Sequence, residues 1–274
     1  MTLHLGFSSC PNDTFMFDAW VHGRLADVPA VTPVIEDIEA LNERACGADS
    51  AARLDVTKLS VGALPEAIAE YAVLGTGAAL GRGCGPLVVR RADRDDITGL
   101  HALASRKVAV PGLRTTAWRL LQAFAPGCVP VPLRFDQVMP ATVAGDVDAG
   151  LVIHEGRFTY GAQGLHCLAD LGERWEADTG LPVPLGVIVA RRSLPGATAS
   201  AIEAAIGRSV AFAFDDPAPS RGFVREHAAE LGDDVVAQHI ALYVNQTSLG
   251  LDDEVRRAIE ALLLRCGCDA SPWR

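Results

Sequence analysis

One histidine stands where an α/β protein most often carries out chemistry. Residues 149–153 are a short apolar run that predicts a buried strand, and His154 follows this strand directly. Ligands of open α/β sheets bind outside the carboxyl ends of the strands. An imidazole held there titrates near neutrality, so it can act as a general base. A surface histidine at a strand end is the alternative that this segment alone leaves open.

Like His154, two pairs of polar residues follow or end predicted strands, and they carry amino and hydroxyl groups. Lys58 and Ser60 lie at the end of a predicted strand, residues 54–59, and would face a ligand if that strand lines a cleft. Thr115 and Thr116 follow a Pro-Gly turn and open a predicted helix, where free amides can bind a carboxylate. A surface lysine and simple helix capping remain the alternatives at these positions.

A polar loop, Ser8–Thr14, follows the first predicted strand, Leu3–Phe7. Small polar residues between a strand and a helix leave amides and hydroxyls free for an anionic or hydroxylated ligand. We predict that the helix begins at Phe15 and that Asn12 or Asp13 caps it. A ligand-binding role for this loop stays open.

The remaining motifs predict neither a metal nor a cofactor site. The seven cysteines lack CxxC spacing, and no cluster of histidine, cysteine and carboxylate has metal-ligand spacing. The glycine-rich segment 80–86 lacks the Lys-Ser/Thr of a phosphate-binding loop, so we expect close backbone packing there and no nucleotide. We interpret six histidines without a strand-end position as structural: His4, His22, His101, His166, His227 and His239.

Strand-like and helix-like segments alternate along the chain, which is typical of α/β proteins. The predicted strands are 3–7, 31–35, 54–59, 107–110, 129–133, 149–153 and 182–190. The predicted helices are 15–23, 38–45, 64–71, 115–125, 137–143 and 252–264.

This order predicts two lobes with a ligand cleft between them. Lobe 1 is discontinuous, residues 1–89 plus 185–274, and lobe 2 is inserted as residues 90–184. The inserted lobe carries the two threonines and the strand-end histidine. The chain would cross between the lobes at strands 86–89 and 185–189, and such a double connection forms a cleft that can close on a ligand. A single doubly wound domain is the alternative.

Composition restricts the partners. The formal net charge of −10 argues against nucleic acid and anionic membranes, because both favour clustered Lys and Arg. The N-terminus lacks an export signal, and no segment approaches the roughly 20 apolar residues of a membrane span. We therefore expect a cytoplasmic protein with a small-molecule ligand.

Taken together, the motifs resemble those of one family, the 1,4-dihydroxy-6-naphthoate synthases. This family is also called menaquinone biosynthetic enzyme D and belongs to the futalosine pathway. The resemblance covers nearly the whole chain in order. It is carried mainly by residues 9–15 (Ser-Cys-Pro-Asn-Asp-Thr-Phe), 37–42, 55–60 (Asp-Val-Thr-Lys-Leu-Ser), 80–86, 150–160 (Gly-Leu-Val-Ile-His-Glu-Gly-Arg-Phe-Thr-Tyr), 182–186 and 239–245.

The resemblance implies a two-lobed fold like that of type II periplasmic binding proteins. It also implies a cofactor-free carbon–carbon lyase that cleaves cyclic dehypoxanthine futalosine to 1,4-dihydroxy-6-naphthoate and dihydroxyacetone. His154 matches the family's proton acceptor. Lys58, Leu59 and Ser60 match one substrate-binding segment, and Thr115-Thr116 match the other.

Two other functions share this fold class. Chorismate dehydratase of the same pathway would have a similar cleft without the 150–160 run, and a non-catalytic solute-binding protein would need an export signal or a lipid anchor. Fold by itself does not distinguish these functions.

Overall fold

Two β-sheets flanked by helices form the protein, in a computed structural model that describes residues 2–274. The first sheet contains β1 (Leu3–Phe7), β2 (Val31–Ile35), β3 (Val56–Ser60), β4 (Tyr71–Val73), β5 (Ala79–Gly81) and β11 (Val183–Arg191). The second contains β6 (Leu87–Arg91), β7 (Lys107–Val110), β8 (Val129–Pro132), β9 (Ala149–Val152) and β10 (Leu165–Asp170). The predicted α/β class is confirmed.

Twelve α-helices connect and cover the strands in the part of the chain that the structure describes. They are α1 (Pro11–Val21), α2 (Ile38–Cys46), α3 (Leu64–Ala67), α4 (Thr116–Phe124), α5 (Phe135–Ala144), α6 (Gly156–Thr159), α7 (Leu171–Thr179), α8 (Gly196–Asp215), α9 (Arg221–His227), α10 (Asp233–Tyr243), α11 (Gln246–Leu249) and α12 (Asp253–Arg265).

Both sheets mix parallel and antiparallel strands. The first sheet has the order β2-β1-β3-β11-β4, and β5 also pairs with β11. There β1 runs parallel to β2 and β3, whereas β11 is antiparallel to β3, β4 and β5. The second sheet has the order β10-β6-β9-β7-β8, with β7 parallel to β8 and β9. Strand β9 is therefore central, which explains why all four of its residues are buried and apolar or glycine.

The predicted lobe limits, 89/90 and 184/185, stay a prediction. Strand pairing places residues 87–89 in the second sheet and residues 183–184 in the first. Two short connections, residues 82–86 and 180–182, join the sheets.

An apolar cluster of buried residues spans the two sheets. It includes Leu59 and Val187 of the first sheet, Val110 and Leu151 of the second, and Trp118 of α4. Because one core is shared, the surroundings of the cleft are held together by burial as well as by the two chain connections.

Two helix predictions are wrong. Helix α1 begins at Pro11, with Cys10 as its N-cap, and not at Phe15. Proline is well tolerated in the first turn, where its missing N–H is not needed, so the helix starts four residues earlier. The predicted caps Asn12 and Asp13 lie inside the first turn and are buried. The predicted helix 64–71 ends at Ala67, and Tyr71 begins a strand.

Glycines permit a close backbone contact at the connection between the sheets, as the sequence predicted. A Cβ atom added to Gly85 would lie 2.5 Å from both Cα and N of Gly172. Real Cβ atoms do not approach backbone so closely, so a side chain at Gly85 would push α7 away from the connection.

We expect Gly85→Ala to lower the free energy of unfolding by about 1–3 kcal/mol, since the inserted methyl group has no room and meets rigid backbone. Urea unfolding followed by circular dichroism measures this loss. Gly161→Ala is the matched control, because an added Cβ there meets no heavy atom within 4 Å. Equal stability of the two variants would contradict the packing argument.

Candidate active site

Polar side chains from both sheets meet in one cavity. The residues that line it are Asn12, Ile38, Lys58, Ser60, Ala79, Gly85, Pro86, Thr115, Thr116, Ala117, Ile153, His154, Arg157, Leu185, Gly186, His239 and Tyr243. Five of the six predicted site residues are among them. Leu59 is not, because its side chain is fully buried in the shared apolar core.

His154 enters the cavity from a sharp turn after β9. Its backbone lies in the left-handed region, with φ of 56°, which few non-glycine residues adopt. Such backbone strain is concentrated at functional sites. Nδ1 of the ring is 3.3 Å from Sγ of Cys10, and the ring of Phe135 packs edge-on against it with centroids 5.0 Å apart. These contacts hold the imidazole in one orientation.

His154 is unprotonated at neutral pH, as a general base must be. Burial, and to a smaller extent the Lys58 ammonium, lowers the pKa of His154 to about 4, so the ring is neutral at pH 7. Its Nε2 atom is buried and has no hydrogen-bond partner among residues 2–274. Burial raises the pKa of the Cys10 thiol, so the neighbour of Nδ1 is a neutral S–H group.

Lys58 carries a buried positive charge that is matched by one carboxylate. The Lys58 Nζ donates a hydrogen bond to Oδ1 of Asp13, whose side chain is fully buried. The other Asp13 oxygen accepts from the backbone N and the hydroxyl of Ser8, at 3.1 and 2.6 Å. An ammonium has three donors, so Lys58 can still donate to a ligand in the cavity.

The hydroxyl groups of the two predicted threonines form hydrogen bonds within the protein and not with the cavity. Thr115, one of the two threonines considered as a cap, caps α4 by accepting from the Trp118 amide at 3.2 Å. The Thr116 hydroxyl accepts from the Gly62 amide at 3.0 Å and donates to the Leu185 carbonyl at 2.9 Å, so it ties α4 to the first sheet. Both hydroxyls are therefore engaged within the protein. The Trp118 amide is used by this cap, whereas the amides of Thr116 and Ala117 make no hydrogen bond within residues 2–274 and favour an anion.

Ser60 is positioned by a reciprocal pair of hydrogen bonds with Asn42. The Ser60 amide donates to Asn42 Oδ1 at 2.9 Å, and Asn42 Nδ2 donates to the Ser60 hydroxyl at 3.1 Å. The hydroxyl keeps its own hydrogen for a ligand.

Four polar lining residues were not predicted as site residues: Asn12, Arg157, His239 and Tyr243. His239 and Tyr243 are four residues apart on α10, a spacing that puts both on one helix face. That spacing is a signal in the sequence, but nothing local shows what the face contacts. The structural interpretation of His239 therefore missed its place in the cavity.

Arg157 brings a second positive charge to the cavity. Its Nη1 donates to the Gly85 carbonyl at 2.8 Å and to Asp170 Oδ2 at 2.7 Å. Asp170 is itself held as the N-cap of α7. The guanidinium has further donors beyond this atom, so the arrangement can bind a carboxylate.

The site thus combines a neutral base, helix amides and two cations in a cavity between two sheets. A family model described as menaquinone biosynthesis matches residues 3–267. The chain belongs to this menaquinone biosynthesis family.

Two curated relatives carry the same name, 1,4-dihydroxy-6-naphthoate synthase. The Thermus thermophilus protein is 47% identical over 95% of this chain and 92% of its own length. The Streptomyces coelicolor protein is 46% identical over 98% of this chain and 94% of its own length.

These matches confirm the predicted family and the prediction that this menaquinone biosynthesis protein is an enzyme. Solved structures agree on the fold. Protein AF1704 of Archaeoglobus fulgidus has a TM-score of 0.89 at 32% identity, covering 97% of each chain. The alkanesulfonate-binding protein SsuA of Xanthomonas axonopodis pv. citri has a TM-score of 0.71 at 15% identity, covering 99% of this chain and 95% of its own. The second likeness shows the fold alone and confirms the predicted periplasmic-binding-protein-like architecture.

Among residues 2–274, no helix of the menaquinone biosynthesis protein has both the length and the apolar character of a membrane span.

Proposed function

We propose that this chain catalyses the 1,4-dihydroxy-6-naphthoate synthase reaction, the cleavage of cyclic dehypoxanthine futalosine to 1,4-dihydroxy-6-naphthoate and dihydroxyacetone. The observation that carries the proposal is the neutral His154, with an unpartnered Nε2, in a cavity that also offers helix amides and cations. The two curated relatives that bear this name support it.

His154 acts as the proton acceptor. For Nε2 to accept, the neutral ring carries its proton on Nδ1, and this N–H donates a hydrogen bond to Sγ of Cys10. His154 removes a substrate hydroxyl proton, and a carbon–carbon bond breaks in a retro-aldol sense. The released electron pair enters the ring, which becomes aromatic, and the protonated His154 returns its proton to the product oxygen that carries the resulting negative charge. The two products together contain all the atoms of the substrate, so neither a cofactor nor water enters the balance.

The protein's remaining task is to position and desolvate the substrate. The amides that open α4, at Thr115-Thr116, hold the carboxylate or the sugar-derived oxygens. Lys58 and Ser60 donate to the ligand from the opposite sheet. Leu59 has no side chain in the cavity, so its predicted binding role is restricted to its main chain.

We further propose that the reaction takes place in the cytoplasm. All seven cysteines are free thiols, including the buried Cys10 and Cys84, and free thiols are typical of a reducing compartment.

The direct test mixes purified protein, without added metal or nucleotide, with cyclic dehypoxanthine futalosine and follows the products by mass spectrometry. Equal amounts of the naphthoate and dihydroxyacetone are the expected result. Binding without turnover would instead favour a solute-binding protein. With neither binding nor turnover, chorismate would be the next substrate to test.

We expect kcat/KM to stay level from pH 7 to about pH 5 and to fall below it, with a midpoint near pH 4. The base must be unprotonated, and the pKa of His154 is lowered to about 4, so activity is lost only as the pH falls through that value. A midpoint near 6.5, the ordinary pKa of histidine, would show that the pKa of His154 is not lowered in the free enzyme.

Unfolding at low pH must be excluded in this experiment. Burial lowers the pKa of His154 and of His239, so between pH 6.5 and 4 the unfolded chain binds protons that the folded chain does not. The contribution of these two histidines to the free energy of unfolding therefore falls as the pH falls through this window. Circular dichroism at each pH separates the two effects.

A further inference from the structure

A chain of hydrogen bonds runs from the Lys58 ammonium to His239. Lys58 Nζ and Asn12 Nδ2 both donate to Oδ1 of Asp13, the latter at 2.8 Å. The oxygen of the same Asn12 amide lies 3.1 Å from Nε2 of His239. Asn12, Asp13 and His239 are at most 3% exposed, so solvent does not compete for these bonds.

The partners in this chain assign the proton on His239. The Asp13 carboxylate beside an ammonium can only accept, so the Asn12 amide must present its NH₂ group to it. The Asn12 oxygen then faces His239, and because an amide oxygen also only accepts, Nε2 must carry the hydrogen. Burial lowers the pKa of His239 well below its usual value, so the ring is neutral. Its Nδ1 is consequently a bare acceptor.

That acceptor has no partner in the protein. Nδ1 of His239 is buried and makes no hydrogen bond with any part of residues 2–274. His239 nevertheless lines the same cavity as His154, and the two rings are nearly parallel, 19° apart with centroids at 6.3 Å. Buried polar atoms in native structures are nearly always hydrogen-bonded, so an orphan of this kind requires a partner from elsewhere.

We propose that Nδ1 of His239 accepts a hydrogen bond from a hydroxyl group of the bound substrate, and that Asn12 is the positioning residue that keeps this nitrogen unprotonated. His239 thus recognises a hydroxylated ligand on the side of the cavity formed by α10, while His154 faces the same ligand from the end of β9. This inference rests on the proposed function, because it assigns a second contact to the same substrate.

Two substitutions at His239 separate this binding role from a structural one. Glutamine places its amide near the position of Nε2 and can still donate to Asn12, but it removes the acceptor at Nδ1. Asparagine does the opposite, since its oxygen can occupy the position of Nδ1 while the contact with Asn12 is lost. The proposal predicts that His239→Gln lowers kcat/KM for cyclic dehypoxanthine futalosine by about 10- to 100-fold. His239→Asn should stay within about 5-fold of wild type on the same grounds.

The reverse order, with His239→Gln near wild type and His239→Asn impaired, would show that the bond to Asn12 is structural and would overturn the proposal. Thermal melting of both variants confirms that they are folded at the assay temperature.

Ring ¹⁵N NMR of histidine-labelled protein tests the tautomer without any turnover. We expect a protonated Nε2 and a bare Nδ1 on His239 in the wild type, and a mixture of tautomers in Asn12→Leu. A protonated Nδ1 in the wild type would overturn the inference. Absence of wild-type turnover, by contrast, would refute the proposed function and leave the NMR result to decide the state of His239.

Discussion

His154→Ala is expected to stay folded and to lower turnover by about 10²–10⁴-fold, the usual contribution of a positioned base. The reason is that Nε2 of His154 is buried without a protein partner and belongs to a neutral ring. His154→Gln should lose as much activity, because an amide can occupy the position of Nε2 and form hydrogen bonds but cannot take up a proton.

Single-turnover measurements of naphthoate release, with saturating enzyme, separate this loss from weaker binding. His166→Ala is the control, since His166 is exposed on β10 and lies outside the cavity. Turnover of His154→Gln within about 3-fold of wild type would remove His154 from the role of base, because proton transfer contributes at least 10²-fold where it operates.

Asp13→Ala is expected to lower the free energy of unfolding by about 3–5 kcal/mol, because it leaves the Lys58 ammonium buried without a counter-ion. The side chains of Lys58 and Asp13 are 8% and 0% exposed, so water replaces the lost carboxylate only in part. The two hydrogen bonds that Ser8 donates to Asp13 are lost as well.

A double-mutant cycle isolates the charge effect in this experiment. Asp13→Ala combined with Lys58→Met should recover part of the lost stability in urea unfolding, because no unpaired charge remains. Asp93→Ala removes the partner of Arg91 in an exposed ion pair and should change the stability by less than about 1 kcal/mol. If Asp13→Ala were as mild as this control, the buried pair would not be a stabilising element of the site.

Local patterns in the sequence were sufficient for much of the fold. The alternation of apolar runs predicted strands such as β1 and β2 at their observed limits, and β9 to within one residue. The Pro-Gly turn before two threonines predicted the start of α4 to within one residue and a threonine as its cap. These features depend on neighbouring residues, whose backbone preferences and hydrogen bonds operate over a few positions.

The failures lie where tertiary contacts override such preferences. Asn12 and Asp13 are good capping residues by type, but Pro11 allows α1 to start earlier. The side chain of Asn12 then turns inward to His239, and that of Asp13 turns inward to Lys58. Leu59 lies in a segment matched to substrate binding, but strand alternation turns its side chain into the core.

The sequence by itself determined the strand that precedes His154, the helix N-terminus at Thr115-Thr116 and the family to which both belong. Only the tertiary structure decided which partners these groups contact and which protonation state His154 has. Cys10 meets His154 across 144 positions of the chain, Lys58 meets Asp13 across 45, and His239 meets Asn12 across 227. The neutral state of His154 results from burial by all the elements packed around it, and burial is a property of the assembled fold that no local pattern contains.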